Sequence, residues 1–393
     1  MRSSLLFSVV WMARIAHARK RKKLVLLFLI AIAFQVDAQQ NYAAAIEEYM
    51  QAQVKVNQFN GNVLVAKNGE IIYQEAFGYA NYDTKKRLNL NSVFNLASVT
   101  KQFTAMGILL LKEKGKLSYT DSLRKFLPEL PYSNITLHHL LTHTSGLPDY
   151  MSVLRPKWDH KKVAFNNDMI RFLAAEKPPI HFKPGQKYEY SNTGFALLAS
   201  IIEKVSGQTF GAYMAQYIFT PLGMTHTRVY NTRRAANELI PNYAYGFVYV
   251  PDLKKYVQAD SLPELDYVHY LDGIQGQGRI NSTVGDLFKW DRALKNHTLV
   301  SEATQREMLS PQVLSDTLNK AYYGYGVGVR KSGKGNVISH TGGWPGYATV
   351  LTHYEEEDVT VIVLSNNASK SNAIGNDVAA IVFGKSITLP KEP

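Results

Sequence analysis

Cysteine is absent from this 393-residue chain, which excludes disulfides, thiolate metal sites, cysteine nucleophiles and a lipidated amino-terminal cysteine. Charge is sparse, 19% against 46% hydrophobic residues, a balance that excludes a disordered tail protein, a collagen-like repeat and an all-helical coiled coil. No internal repeat, low-complexity tract or Pro/Gly/Ser-rich linker interrupts it. Several site patterns are missing too. Without a G-x-S-x-G elbow an α/β-hydrolase triad has no anchor, and neither HExxH nor a phosphate-cradling Gly-rich loop occurs. The formal charge of +12 suggests nucleic acid, but residues 1–38 carry seven basic side chains against one acid, half of the excess. The remainder is modest for this length, and a nucleic-acid partner loses its main support.

Those first residues read as an address. Lys20 to Lys23 form a basic block, Leu24 to Phe34 an eleven-residue apolar run, and Gln35-Val36-Asp37-Ala38 follow it. A positive region, a short apolar region and a small residue describe a secretory signal peptide, whereas a membrane span needs about 20 apolar residues. Cleavage is expected after Ala38, with Met12 as an alternative start. The mature chain then begins near Gln39, is exported to the periplasm or beyond, and keeps no stable membrane anchor.

Within residues 39–393, Gly61–Lys67 and Glu70–Tyr73 flank Asn68-Gly69, a strong hairpin signal. A helix over 98–114 is apolar on most faces and so should be buried. Residues 116–299 read mainly as helices and loops: 137–141, 167–175, 194–205, 210–217 and 284–294, with a Tyr-rich stretch over 240–272 as loop and short strand. Strands return after about Tyr323, at 337–340, 347–353 and 359–364, before a closing helix over 372–383. Strands at both ends and helices between predict an α/β chain of the α+β type: an antiparallel sheet lobe from 39–115 and 300–393, with a mainly helical lobe over 116–299.

Three short patterns carry the chemistry. Ser98-Val99-Thr100-Lys101 is weak alone, and Ser122-Leu123-Arg124-Lys125 matches equally well in a polar stretch. If Ser98 were simply a helix cap, a capping box would want Glu or Gln three residues later. Lys101 stands there instead, beside the positive end of the helix dipole, where a cation is disfavoured. On a helix, i and i+3 share a face, so the amine can reach the hydroxyl, and burial would lower its pKa toward that of a proton acceptor. The second pattern, Tyr190-Ser191-Asn192, lies between a Pro-Gly turn and an apolar helix. The third is His340-Thr341-Gly342-Gly343 at a strand end, where glycines signal a turn or a close approach. His138, His139 and His143 also cluster, but their neighbours complete no metal set, and they read as polar residues on a loop and helix end.

Taken in order, Ser98-x-x-Lys101, Tyr190-x-Asn192 and His340-Thr341-Gly342 resemble the serine β-lactamase and DD-peptidase superfamily. The likeness is to the class C β-lactamase-related branch, which includes D-alanyl-D-alanine carboxypeptidases, esterases and D-amino-acid peptidases. Leu140–Pro148, Thr220–Met224 and Ser282–Leu287 look like that branch too, so the resemblance spans nearly the whole mature chain. It implies a β-lactamase/transpeptidase-like fold. Ser98 would be the acylated nucleophile, Lys101 its partner and Tyr190 a proton shuttle, with the base open between the last two. Asn192, His340, Thr341 and Gly342 would bind substrate, and the backbone N–H groups of Ser98 and Gly343 would form the oxyanion hole. No metal or organic cofactor is implied.

The chain departs from the branch's β-lactamases at His340, where those carry lysine. Histidine is charged only below its pKa, ordinarily near 6.5. Activity on carboxylate-bearing substrates is therefore expected to fall as pH rises through that value. The leading expectation is a hydrolase of D-Ala-D-Ala-type peptides or amides, peptidoglycan included. An esterase or other small-amide hydrolase, a β-lactamase and a non-catalytic penicillin sensor are the alternatives.

Overall fold

The computed structural model describes residues 42–230, 240–333 and 335–391; the segment read as an export signal lies outside the described residues. Eight strands form the main antiparallel sheet: β1 (Gly61–Lys67), β2 (Glu70–Phe77), β3 (Val313–Asp316), β4 (Ala321–Tyr323), β5 (Gly328–Ser332), β6 (Gly335–Trp344), β7 (Tyr347–Tyr354) and β8 (Val359–Ser365). Their order is β3-β4-β5-β6-β7-β8-β1-β2. The two ends of the chain therefore meet inside the sheet, β1 on β8, with Val63 opposite Val363. The β1–β2 hairpin turns on Asn68 and Gly69, both at positive φ (53° and 79°), the backbone that a two-residue turn between right-twisted strands requires.

The longer helices are α1 (42–55), α2 (Thr100–Glu113), α3 (Asn166–Glu176), α4 (Asn192–Ser206), α5 (Val284–Lys295), α6 (Glu302–Leu309) and α7 (Ser371–Val382). Alternation along the central strands divides the core in two. Val63, Val65, Val361 and Val363 face α1 and α7, whose Ile46, Met50, Ile374 and Val378 cover them. Leu64, Ile362 and Leu364 point the other way, into the larger core around α2 and α4. Because β8 is buried on both faces, its sequence runs apolar without alternating. Helix α2 is buried from Thr100 through Leu111, as its all-round apolar sequence demands.

Two departures from the sequence-based expectation shape the surroundings of Ser98. Strand β6 does not stop near His340 but continues through Gly342 and Gly343 to Trp344, and pairs with β7 throughout. A short second sheet joins Phe94–Asn95, Ile280–Ser282 and Arg228–Val229, which brings the segment before Ile280 against the start of α2. Among the described residues, no helix is long and apolar enough to cross a membrane.

Candidate active site

Ser98 occupies a 3-10 turn, Ala97–Val99, that leads into α2. The turn is held from three sides. Asn95 Oδ1 accepts from the Ala97 amide at 2.9 Å, the Leu96 amide donates to Ile280 O at 2.9 Å, and Thr349 Oγ1 donates to Leu96 O at 2.8 Å. Ala97 sits at φ 47°, a conformation that costs a non-glycine residue about 1–3 kcal/mol and persists only where surroundings enforce it. The Ser98 side chain caps neither this turn nor α2. The competing Ser122 does cap, accepting from the Arg124 amide at 3.3 Å, which accounts for it fully.

Lys101 is fully buried, one turn into the helix. Its Nζ lies 3.1 Å from Ser98 Oγ, 2.9 Å from Asn192 Oδ1 and 2.8 Å from the Gln277 carbonyl; as an ammonium it donates to all three, and as an amine it donates to the two carbonyl oxygens and can accept from the serine hydroxyl. Burial pushes its pKa well below the usual lysine range, against a smaller opposing pull from Asp149. Asn192 is the first residue of α4, whose N-cap Ser191 accepts from the Gly194 amide at 3.2 Å. With its oxygen committed to Lys101, Asn192 has its amide N–H groups to offer.

Tyr190 lies just ahead of that helix. The centre of its ring is 4.8 Å from Lys101 Nζ. Tyr190 is 41% exposed, yet burial of its hydroxyl end raises the phenol pKa, and nearby Ser98 offsets part of the rise. Strand β6 closes the site. A Cβ on Gly342 would stand 2.2 Å from Leu96 O and 3.1 Å from Ser98 N, whereas one on Gly343 would meet nothing within 4 Å. Only glycine lets the strand approach the serine turn this closely. Ser98, Asn192, Gly343 and Trp344 line one cleft, and Thr341 is exposed on the strand.

His340 departs from its expected part. The imidazole is buried, with Nδ1 2.7 Å from Thr341 O and Nε2 2.8 Å from Tyr323 Oη. A carbonyl only accepts, so Nδ1 carries the proton and Nε2 accepts from the tyrosine. Burial, helped by the Lys101 charge, takes its pKa down to about 3. Instead of a titrating cation facing a substrate carboxylate, it is a neutral ring with both nitrogens engaged.

Residues outside the three patterns complete the site. His143, grouped by sequence with two other histidines, is buried and set apart from them. It packs on Tyr190 with ring centroids 4.3 Å apart, and its Nδ1 accepts from the Ser191 amide at 3.0 Å. Burial keeps it neutral, its pKa well below the ordinary histidine value. His138 instead meets Tyr325 Oη at 3.0 Å, and His139 turns to Thr136. Among the described residues, no cluster of His, Asp and Glu fits a metal ion. The loop before Ile280 supplies the Gln277 carbonyl and is strapped to α2 by Thr104 Oγ1, which donates to Gly276 O at 2.7 Å. Its Arg279 takes φ 82°, donates to Leu271 O at 3.0 Å, pairs with Asp272 at 3.3 Å and lies 4.2 Å from the Trp344 ring centroid. No sequence pattern pointed to Gln277 or Arg279, since one acts through its backbone and the other through tertiary packing. For His143 the signal was its place in Leu140–Pro148, a segment already resembling the family.

A serine, a buried lysine one turn later and a tyrosine, between an antiparallel sheet and a helical region, define a serine hydrolase of the β-lactamase/transpeptidase fold. Known proteins bear the same stamp. The family described as Beta-lactamase matches residues 43–382. The chain is 45% identical over 343 residues to Penicillin-binding protein 4* of Bacillus subtilis (strain 168), covering 86% of this chain and 75% of that one. It is 25% identical to a D-aminopeptidase of Gluconobacter oxydans (strain 621H), over 85% of this chain and 60% of that one. The crystal structure of a penicillin binding protein from Bacillus halodurans superposes with a TM-score of 0.74 at 29% identity, covering 86% of this chain and 98% of the other. The chain belongs to the beta-lactamase family.

Proposed function

We propose that this chain is an exported hydrolase that forms an acyl-enzyme on Ser98 and cleaves amide bonds of small peptides of the D-Ala-D-Ala type. The observation that carries the reading is the bonding of Lys101: fully buried, with Ser98 Oγ, Asn192 Oδ1 and Gln277 O as its partners. A serine hydroxyl is a weak nucleophile unless a neighbour takes its proton. The opposite shifts of Lys101, downward, and Tyr190, upward, support the amine as that acceptor and the phenol as the relay to the leaving group, the two titrating as a coupled pair. Ser98 Oγ attacks the substrate carbonyl as its proton passes to Lys101. The oxyanion is met by the N–H groups of Ser98 and Gly343, and Asn192 orients the substrate amide. Return of the proton through Tyr190 releases the amine, and water, deprotonated by the same groups, frees the acid. The relatives named penicillin-binding protein and D-aminopeptidase support D-configured peptide substrates. The signal-like residues 1–38 support export.

His340 favours a second reading within the same chemistry. A neutral, fully engaged imidazole offers no cation to a free carboxylate, which shifts preference toward neutral amides and esters and away from efficient β-lactam turnover. Steady-state kinetics on an acyl-D-Ala-D-Ala peptide, a D-amino-acid amide, a matched ester and a chromogenic cephalosporin separate these. The leading reading expects the highest kcat/KM on the acyl-D-Ala-D-Ala peptide. Preference for the D-amino-acid amide or the ester by ten-fold or more would install the second reading.

A further inference from the structure

A cleft that Ser98 does not line opens between α1, α7 and the segment 366–370 that joins β8 to α7. It holds about 310 Å³, the small end of ligand sites, which run from roughly 300 to 1,000 Å³. Its floor is built around a relay of hydrogen bonds. Tyr49 Oη donates to Asp377 Oδ2 at 2.6 Å and accepts from Gln53 Nε2 at 2.8 Å. Burial and the adjoining carboxylate raise the phenol pKa, so the hydroxyl keeps its proton and the orientation of the Gln53 amide is fixed. Gln53 is 7% exposed. Its Oε1 and Asp377 Oδ1 are open to the cleft, with no hydrogen-bond partner among the described residues. A second relay runs in the same sense: Asn367 Nδ2 donates to Tyr256 Oη at 3.3 Å, and Tyr256 Oη to Asn57 O at 3.2 Å. Both relays spend their donors inside the protein, and the floor presents oxygens.

Two charges of opposite sign line the same space. The Asp377 carboxylate has no cationic partner among the described residues, and Lys370, exposed at the rim, has no anionic one. An acceptor-only floor with a carboxylate favours a charged donor, while the lysine favours an anionic group beside it. The two residues stand seven positions apart, about two turns of helix, a span that the long lysine side chain can shorten to that of one α-amino acid. Ile374 and Ala373 supply an apolar wall. We propose that this cleft binds a free α-amino acid with a small apolar side chain, its ammonium donating to Asp377 Oδ1 and Gln53 Oε1 and its carboxylate facing Lys370. An N-acylated amino acid brings no charged donor to the two oxygens, so the site selects for the free amine. Binding here does not depend on the role assigned to Ser98.

The test is a saturation-transfer NMR titration with D-alanine, read on its methyl group, and separately with N-acetyl-D-alanine and D-alaninamide, the last on Ser98→Ala so that it is not consumed. Wild type and Ser98→Ala are expected to bind D-alanine saturably and about ten-fold or more tighter than the N-acetyl compound. D-alaninamide keeps the ammonium and forgoes only an exposed lysine, so it should bind about two- to five-fold more weakly than D-alanine. Asp377→Asn still accepts from Tyr49 and should weaken D-alanine binding by about ten-fold with an unchanged circular dichroism spectrum. Ala373→Trp, at an exposed position on the cleft wall, fills the space and should abolish binding with a melting temperature near that of wild type. Absence of saturable D-alanine binding, equal affinity for D-alanine and either analogue, or binding unchanged in Ala373→Trp would each overturn the site. Should Asp377→Asn fail to fold, the Ala373→Trp result and the comparison of the three ligands still decide.

Discussion

A lysine with no exposed surface and three oxygen partners is subject to two opposing demands. The partners favour the ammonium, burial favours the amine, and burial dominates. Lys101→Ala and Lys101→Arg are both expected to slow acylation by about 10²–10⁴-fold, since a guanidinium cannot give up its proton. Tyr190→Phe should fall in the same range. Stopped-flow rates on an activated ester, with circular dichroism unchanged, check this, and wild-type rates in any of the three would remove that residue from the mechanism. His340 gives a prediction of the opposite kind. With its pKa near 3 in the fold and near 6.5 in an unfolded chain, the ring is neutral whenever the protein is folded above that lower value. The ratio of kcat/KM for acid and neutral-ester substrates should then show no His340 step between pH 5.5 and 8.5. Stability has a sign as well. The unfolded chain takes up a proton that the buried ring refuses, so stability is lost as pH falls from about 6.5 toward 3, by about 1.4 kcal/mol per pH unit for each such histidine. His143 contributes in the same direction. Urea unfolding of wild type and His340→Gln at pH 6.5, 5.5 and 4.5 should show a shallower slope in the variant. Equal slopes would mean that His340 titrates normally.

At the scale of elements, the site depends on how closely β6 approaches the serine turn. Gly342→Ala forces a methyl group against Leu96 O and should cost about 1–3 kcal/mol along with most of the activity. Gly343→Ala points into open space and should leave the melting temperature close to wild type. Differential scanning fluorimetry of the pair is the check, and a Gly342→Ala protein as stable as wild type would contradict the packing described. Much at this scale was legible in the sequence. Asn68-Gly69 specified its hairpin by backbone chemistry alone, and the apolar character of 100–111 specified a buried helix. The apolar helix that follows separated Ser98 from Ser122, which lies in a polar stretch. The rest was not legible because it is made by tertiary contact. Strand β6 runs past its glycines because Leu96 and Ser98 occupy the space that side chains there would need. His143 joins the site through the Ser191 amide, forty-eight residues further along the chain. The fate of His340 was decided by Tyr323 and the Thr341 carbonyl, neither of which marks a histidine as buried in a linear reading.

For the molecule as a whole, the antiparallel sheet is completed only when residues from both ends of the described chain meet at β1 and β8. Helices α1 and α7 then cover one face, joined by Tyr49 Oη donating to Asp377 Oδ2 at 2.6 Å, while the other face supports α2 and with it Ser98 and Lys101. The site is assembled from five separate stretches of sequence: the turn at 95–101, the segment carrying His143, the junction at 190–192, the loop at 276–279 and strand β6. Only the folded protein can therefore activate the serine, and the central claim is open to a direct test. Intact mass spectrometry after brief exposure to a fluorophosphonate, followed by peptide mapping, should show a single adduct on Ser98, none on Ser122 or Ser191, and none in Ser98→Ala or in urea-unfolded protein. Labelling that survives Ser98→Ala, or that maps to either of the other serines, would contradict the account.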